Sequence, residues 1–240
     1  KIVLDISGQE KTGKTWTAMT STSPVLYIAF DPINAEGVAQ EFLRAGRRIY
    51  IVNMAFTPNA KEDYYRQVYQ YFLGALNEFI REPRGTIVID TGKALEELVR
   101  LSLFGKRKGV STFLYEDRNA EMEAIFSMLA QSPLSIAWVH NMRRTWETYT
   151  DDKGKERSRP TGLWEPDRFD LVGQRVQINA VTDRQYDLKT RMYGQYQISI
   201  VNNRLNSRIV GGPHMIPWGD MMTLPNLMGS IFQMNPATLV

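Results

Sequence analysis

The sequence predicts an α/β protein: a mostly parallel sheet flanked by helices, continued by a β-rich C-terminal extension. Three observations predict it. Short apolar runs alternate with helical segments over residues 1–141, the pattern of parallel strands covered on both faces. Several of those runs end on a polar or acidic residue, as strands do when their tips line a site. Beyond residue 143 the pattern changes to hairpin-like segments. The 240 residues, 43% hydrophobic and 23% charged, suffice for one core. We divide the chain into a core of about 1–142 and an extension of about 143–240 on the same sheet, within one domain.

The elements follow in order. IVLDIS (2–7) reads as a buried strand and residues 15–20 as a helix start. VLYIAF (25–30) is a second strand ending at Asp31, and RRIYIVNM (47–54) a third. Aromatic and aliphatic residues recur at helical spacing over 61–80, and Pro83 and Gly85 end that helix. TIVID (86–90) is a strand, residues 93–103 are helical, and FGKRKGVSTF (104–113) is a basic loop bracketed by glycines. Met122, Ile125, Phe126 and Leu129 mark a helix over 117–131. LSIAWVHN (134–141) is a strand with polar residues at its tip. Residues 145–162 read as a hairpin turning at Asp-Lys-Gly, and 186–212 as two or three β segments. The tail, 217–240, is rich in Met, Pro and Asn.

Composition narrows the chemistry. The chain has no cysteine, which excludes disulfides and thiolate metal centres, and its two histidines, His140 and His214, do not make a histidine-rich zinc site. A net charge of +3 neither requires nor opposes a nucleic-acid partner. No apolar run approaches the roughly 20 residues that span a bilayer, and no basic-then-apolar leader is present, so no membrane association and a cytoplasmic location are the expectations.

Residues 8–15 fit G-x-x-x-x-G-K-[ST] at every fixed position: Gly8, Gly13, Lys14 and Thr15, with Gln9, Glu10, Lys11 and Thr12 between. The glycines let backbone N–H groups turn inward toward phosphate oxygens, and the helix that follows adds its positive end. Lys14 would neutralise β- and γ-phosphate charge, Thr15 would coordinate Mg²⁺, and Trp16 follows directly. A second metal-side carboxylate is required, and Asp90 at the tip of TIVID is the candidate, directly or through water; a helix-capping role for it is the alternative. Candidates to orient water are Asp31 and Glu36, while His140 and Asn141 are candidates to bond the γ-phosphate or that water; a turn role for Asp31 before Pro32 and a structural role for His140 are the alternatives. Arg143, beside Arg144, is a candidate for stabilising transition-state charge, in cis or from a neighbouring subunit; pairing with acids such as Glu147 is the alternative.

A phosphate loop at 8–15, a strand ending in an acid at 27–31, an acid-tipped strand at 86–90 and a polar-tipped strand at 135–141 come in the order that resembles RecA-like P-loop ATPases. YIAFD resembles the strand of that superfamily that carries a catalytic glutamate four residues after its tyrosine; here that position is Asp31, a shorter acid. TIVIDT, VHNMRR and FDLVGQRVQI resemble more closely the phage-encoded Sak-type ATPases of single-strand annealing and recombination. The resemblance implies Mg²⁺-dependent ATP hydrolysis, single-stranded DNA as partner, a homo-oligomer with ATP near subunit contacts, and a host-cell cytoplasmic location.

DNA contacts are expected from Lys106, Arg107 and Lys108 on the basic loop, and from Lys155, Arg157 and Arg159 on the hairpin, where Trp146 and Tyr149 add stacking surface; a solvated loop and an ordinary exposed hairpin are the alternatives. Three alternatives stay open on the same motifs: a small-molecule kinase, a viral DNA-packaging ATPase and a nucleotide-dependent binding module without turnover.

Overall fold

The structure is a computed structural model that describes residues 1–57, 59–106, 112–187, 189, 192–205 and 213–214. Five parallel strands form its centre: β1 (Val3–Gly8), β2 (Val25–Ala29), β3 (Ile49–Asn53), β4 (Thr86–Asp90) and β5 (Ser135–Thr150). They lie in the order β3-β2-β4-β5-β1, and β7 (Ile178–Asp187) continues the sheet in parallel beside β1. β8 (Met192–Asn203) and β9 (Pro213–His214) follow antiparallel, and β6 (Glu156–Pro166) pairs only with β5. The molecule is thus a mostly parallel mixed sheet flanked by helices, with a β-rich C-terminal part.

Burial on both faces explains the apolar runs of β2 and β4: VLYIA is buried at every position, and TIVI likewise. One face carries α1 (Lys14–Met19) and α2 (Pro32–Arg44), packed through Ala18, Met19, Ala35, Ala39 and Phe42 onto Leu4, Ile6, Tyr27 and Val88. The other face carries α3 (Glu62–Phe79), α4 (Gly92–Phe104), α5 (Thr112–Gln131) and α6 (Asp170–Arg175) over Ile28, Ile87, Ile89, Ile136 and Trp138. In α3 the buried residues Tyr65, Tyr69, Phe72, Leu76 and Phe79 recur every three or four positions, the stripe a helix presents to a core. Met122, Ile125, Phe126 and Leu129 do the same for α5.

Two features depart from the sequence reading. α2 is an unpredicted helix, opened by Pro32 in its first turn, where the missing N–H costs nothing. β5 does not end at Asn141: it runs unbroken through Thr150 and pairs with β6 as a long ribbon that turns at 151–155. Over 186–212 the described residues form the end of β7 and the whole of β8, with 188, 190–191 and 206–212 outside the described residues, as is the tail 217–240. No helix among the described residues is long and apolar enough to cross a membrane.

Candidate functional site

The strand order sets the site. β5 stands between β1, which leads into the 8–15 loop, and β4, which ends at Asp90; in register, Gly8 faces Asn141 and Asp90 faces Val139. The tips of β1, β2, β4 and β5 therefore open on one edge, where a cleft of about 630 Å³ lies. Its lining runs from Glu10 to Trp16 and includes Asp31, Asp90, Asn141 and Arg184.

The loop is built as the glycine pattern requires. Gly13 caps α1 with φ 88°, a left-handed conformation open to a residue without Cβ, and Lys11 also has positive φ at 61°. The Thr12 hydroxyl bonds the Gln9 carbonyl at 2.8 Å and the Thr182 hydroxyl of β7 at 2.8 Å, pinning the loop to the sheet. Buried Lys14 donates from Nζ to the carbonyls of Gly8 (3.0 Å) and Gln9 (2.6 Å), so its ammonium is held inside the loop's own curve. Burial lowers the Lys14 pKa, and the nearby charges of Asp90 and Glu10 oppose that shift.

Thr15 and Asp90 meet: the Thr15 hydroxyl donates to Asp90 Oδ2 at 3.1 Å. The same carboxylate oxygen accepts a short hydrogen bond from the Tyr27 hydroxyl. Burial pushes the Asp90 carboxyl above its ordinary range, opposed by these two bonds and by the charge of Lys14. Burial and the Asp90 charge push the Tyr27 phenol far up, so it stays a donor. Capping of α4 falls to Thr91, whose side chain accepts from the Ala94 N–H at 3.2 Å, and Asp90 is spared for the cleft. Two hard oxygen donors 3.1 Å apart suit Mg²⁺, which keeps waters and phosphate oxygens among its ligands. Among the described residues no group of three or more His, Cys, Asp or Glu is placed to hold a metal ion.

The remaining candidates separate. Asp31 lies at the cleft and precedes α2 without capping it through its side chain, and Asn141 lines the cleft too. Glu36 sits one residue past buried Ala35 and is exposed, outside the lining. His140 is placed differently from its expectation: alternation along β5 turns it to the opposite face, fully buried beneath the start of α4. There its Nδ1 is 2.9 Å from Asp5 Oδ1, and Asp5 is also bonded by Arg168, which bonds Asn179 at 2.9 Å. That network is a floor of the sheet, and His140 is not a cleft residue. Arg143 likewise stands outside the cleft, half-exposed on the ribbon and paired with Glu165 (2.9 Å) and Asp167 (3.5 Å).

The ribbon has two unlike faces. Cross-strand register sets Arg143 against Glu165, Glu147 against Arg159 and Tyr149 against Arg157 on one face, and Arg144 against Trp164 and Trp146 against Pro160 on the other. The first face is charge-compensated: Arg159 pairs with Glu147 at 2.6 Å and Arg157 with Asp151 at 2.9 Å, so two of the three hairpin cations expected to meet DNA are already paired with acids. Lys155 is exposed in the turn. The second face shows Trp146 and Trp164, 63% and 41% exposed, with the Arg144 guanidinium over the Trp164 ring. Lys106 is exposed just after α4; Arg107 and Lys108 lie outside the described residues.

Sequence reasoning gave no role to Tyr27, Thr182, Arg184 or Tyr196. Tyr27 was visible only as the tyrosine that opens YIAFD; the others depend on β7 lying beside β1.

Comparison with known proteins adds little. No family model matches the sequence, and no curated protein does. Among solved structures, a prototypical ATPase from the type III secretion system of pathogenic bacteria is similar at 10% identity and a TM-score of 0.49, over 75% of this chain. The chain spans half the length of that ATPase, and a likeness this slight carries no inference about function.

Proposed function

We propose that this chain is a Mg²⁺-dependent, RecA-like P-loop ATPase. The observation that carries the reading is the meeting of three groups at one strand–helix junction: the buried Lys14 ammonium inside its loop, the Thr15 hydroxyl, and the Asp90 carboxylate 3.1 Å from it. The 8–15 loop takes the phosphates on its N–H groups, and Lys14 leaves the Gly8 and Gln9 carbonyls to neutralise phosphate charge. Thr15 and Asp90 would hold Mg²⁺, which supplies charge stabilisation on phosphate oxygens when bound. Tyr27 holds the Asp90 carboxylate in place, Asp31 orients water, and Asn141 bonds the γ-phosphate or that water.

The work this hydrolysis drives is, in our reading, done on single-stranded DNA, in a homo-oligomer of recombination or annealing. The ribbon supports it: β5 runs from Asn141 in the cleft directly into the strand that carries exposed Trp146. The test is ATP hydrolysis with and without single-stranded DNA. Turnover stimulated by DNA and abolished in Lys14→Ala is the expected result. Hydrolysis indifferent to single- and double-stranded DNA refutes the DNA part and leaves the ATPase. Transfer of phosphate to a small acceptor refutes hydrolysis itself.

A further inference from the structure

We propose that Arg184 and Tyr196 form the nucleobase end of the cleft and take the base of the bound nucleoside triphosphate by its flat face. The inference rests on the phosphate-cradle reading of residues 8–15 and deepens it.

Strand order gives the cleft two ends. Asp90, Asn141 and Asp31 stand off β4, β5 and β2, all on one side of β1. The metal-side pair, Thr15 and Asp90, and with it the reacting end of a triphosphate, belongs to that side. β7 and β8 lie on the other side of β1, and from them only Arg184 and Tyr196 reach the lining among the described residues. A triphosphate fixed by the loop, with its terminal phosphate toward Asp90, directs its nucleoside away from β4 and β5, toward this wall.

The wall is built for a flat ligand. Thr182 of β7 faces Gly8 in register and bonds Thr12 at 2.8 Å, so β7 is tied to the loop itself. Arg184 is two residues further and emerges on the same face as Thr182. Tyr196 stands opposite it on β8. The guanidinium carbon lies 4.3 Å from the centre of the Tyr196 ring, and Nη1 donates to the Tyr196 hydroxyl at 2.9 Å. A guanidinium held over a phenol ring is a planar cation with a fixed orientation, and a nucleobase stacks on such a surface. Trp16, also in the lining, adds an indole from the α1 side.

The test separates base from phosphate contact. Binding of Mg²⁺–ATP and of Mg²⁺–tripolyphosphate, which has no base, is measured by calorimetry on the full chain. Arg184→Ala is expected to weaken ATP about tenfold, the order of one base-stacking contact, and to leave tripolyphosphate within about twofold. Arg184→Lys keeps the charge but not the plane and is expected to match Arg184→Ala. Tyr196→Leu carries the same expectation should Arg184→Ala fail to fold. Equal weakening of both ligands, or rescue by lysine, would place Arg184 on phosphate and overturn the proposal. Unchanged ATP affinity in every variant overturns it as well, with the cradle intact. A wild-type chain that binds neither ligand removes the cradle reading and this one together.

Discussion

Gly8→Ala tests how tightly the loop is built into the sheet. Gly8 ends β1 between Asn141 of β5 and Thr182 of β7. A Cβ there would lie 2.3 Å from the Thr182 hydroxyl, 2.6 Å from the Thr12 hydroxyl and 2.6 Å from the Thr182 carbonyl. The two hydroxyls turn aside only by giving up their mutual bond, a loss of about 1 kcal/mol. The carbonyl belongs to a paired strand and does not turn, so β1 and β7 must part by roughly an ångström, an overpacking cost of about 1–3 kcal/mol. Together these come to about 2–4 kcal/mol, and for a chain of this length a fall in Tm of about 5–15 °C. Gly74, within α3, is the control: a Cβ there meets nothing within 4 Å. Gly74→Ala gains about 1 kcal/mol of helix propensity and raises Tm by about 2–4 °C. Thermal unfolding followed by circular dichroism reads both. Equal Tm values for the two variants, or a Gly8→Ala chain as stable as wild type, would refute the packing described around the loop.

Asp90→Asn separates stability from function. Burial raises the folded-state pKa of Asp90, so its ionised form costs stability above the unfolded-state pKa, and the cost fades as pH falls through the folded-state value. The variant should therefore melt higher than wild type at neutral pH without ligand, with the gap closing on acidification, while Mg²⁺ no longer strengthens ATP binding; a lower Tm at neutral pH contradicts this. On the ribbon, Trp146→Ala with Trp164→Ala removes exposed rings and should change stability by less than about 0.5 kcal/mol each, yet reduce stimulation of hydrolysis by single-stranded DNA. Full stimulation in that double variant would exclude the aromatic face as the contact.

What the sequence disclosed was what local chemistry determines. The 8–15 loop was legible because its glycines, lysine and threonine act through backbone geometry within one turn of chain. TIVID was legible because a fully buried strand shows as an apolar run, and its acid as a break in it. α2 was hidden because Asp-Pro-Ile-Asn-Ala-Glu-Gly carries the residues of a turn; the stripe Ala35, Ala39, Phe42 was its only helical signal. His140 and Asn141 looked alike as a polar tip, and only the alternation of β5 against its neighbours sends one to the floor and the other to the cleft. Arg184 and Tyr196 were beyond reach because their place follows from β7 pairing with β1, some 175 residues apart in the chain. The ribbon's cations were visible, but the acid that neutralises Arg159 is assigned by cross-strand register and the one that neutralises Arg157 by the fold of the turn, neither of which composition contains.

The central claim is that Lys14, Thr15 and Asp90 form a Mg²⁺–triphosphate site, and calorimetric titration of ATP with and without Mg²⁺ tests it most directly. Wild type should bind ATP, more tightly with Mg²⁺, and Lys14→Ala should lose about 10- to 100-fold in affinity, the value of a charge-assisted hydrogen bond. Equal ATP affinity in wild type and Lys14→Ala, or no dependence on Mg²⁺, would contradict the account.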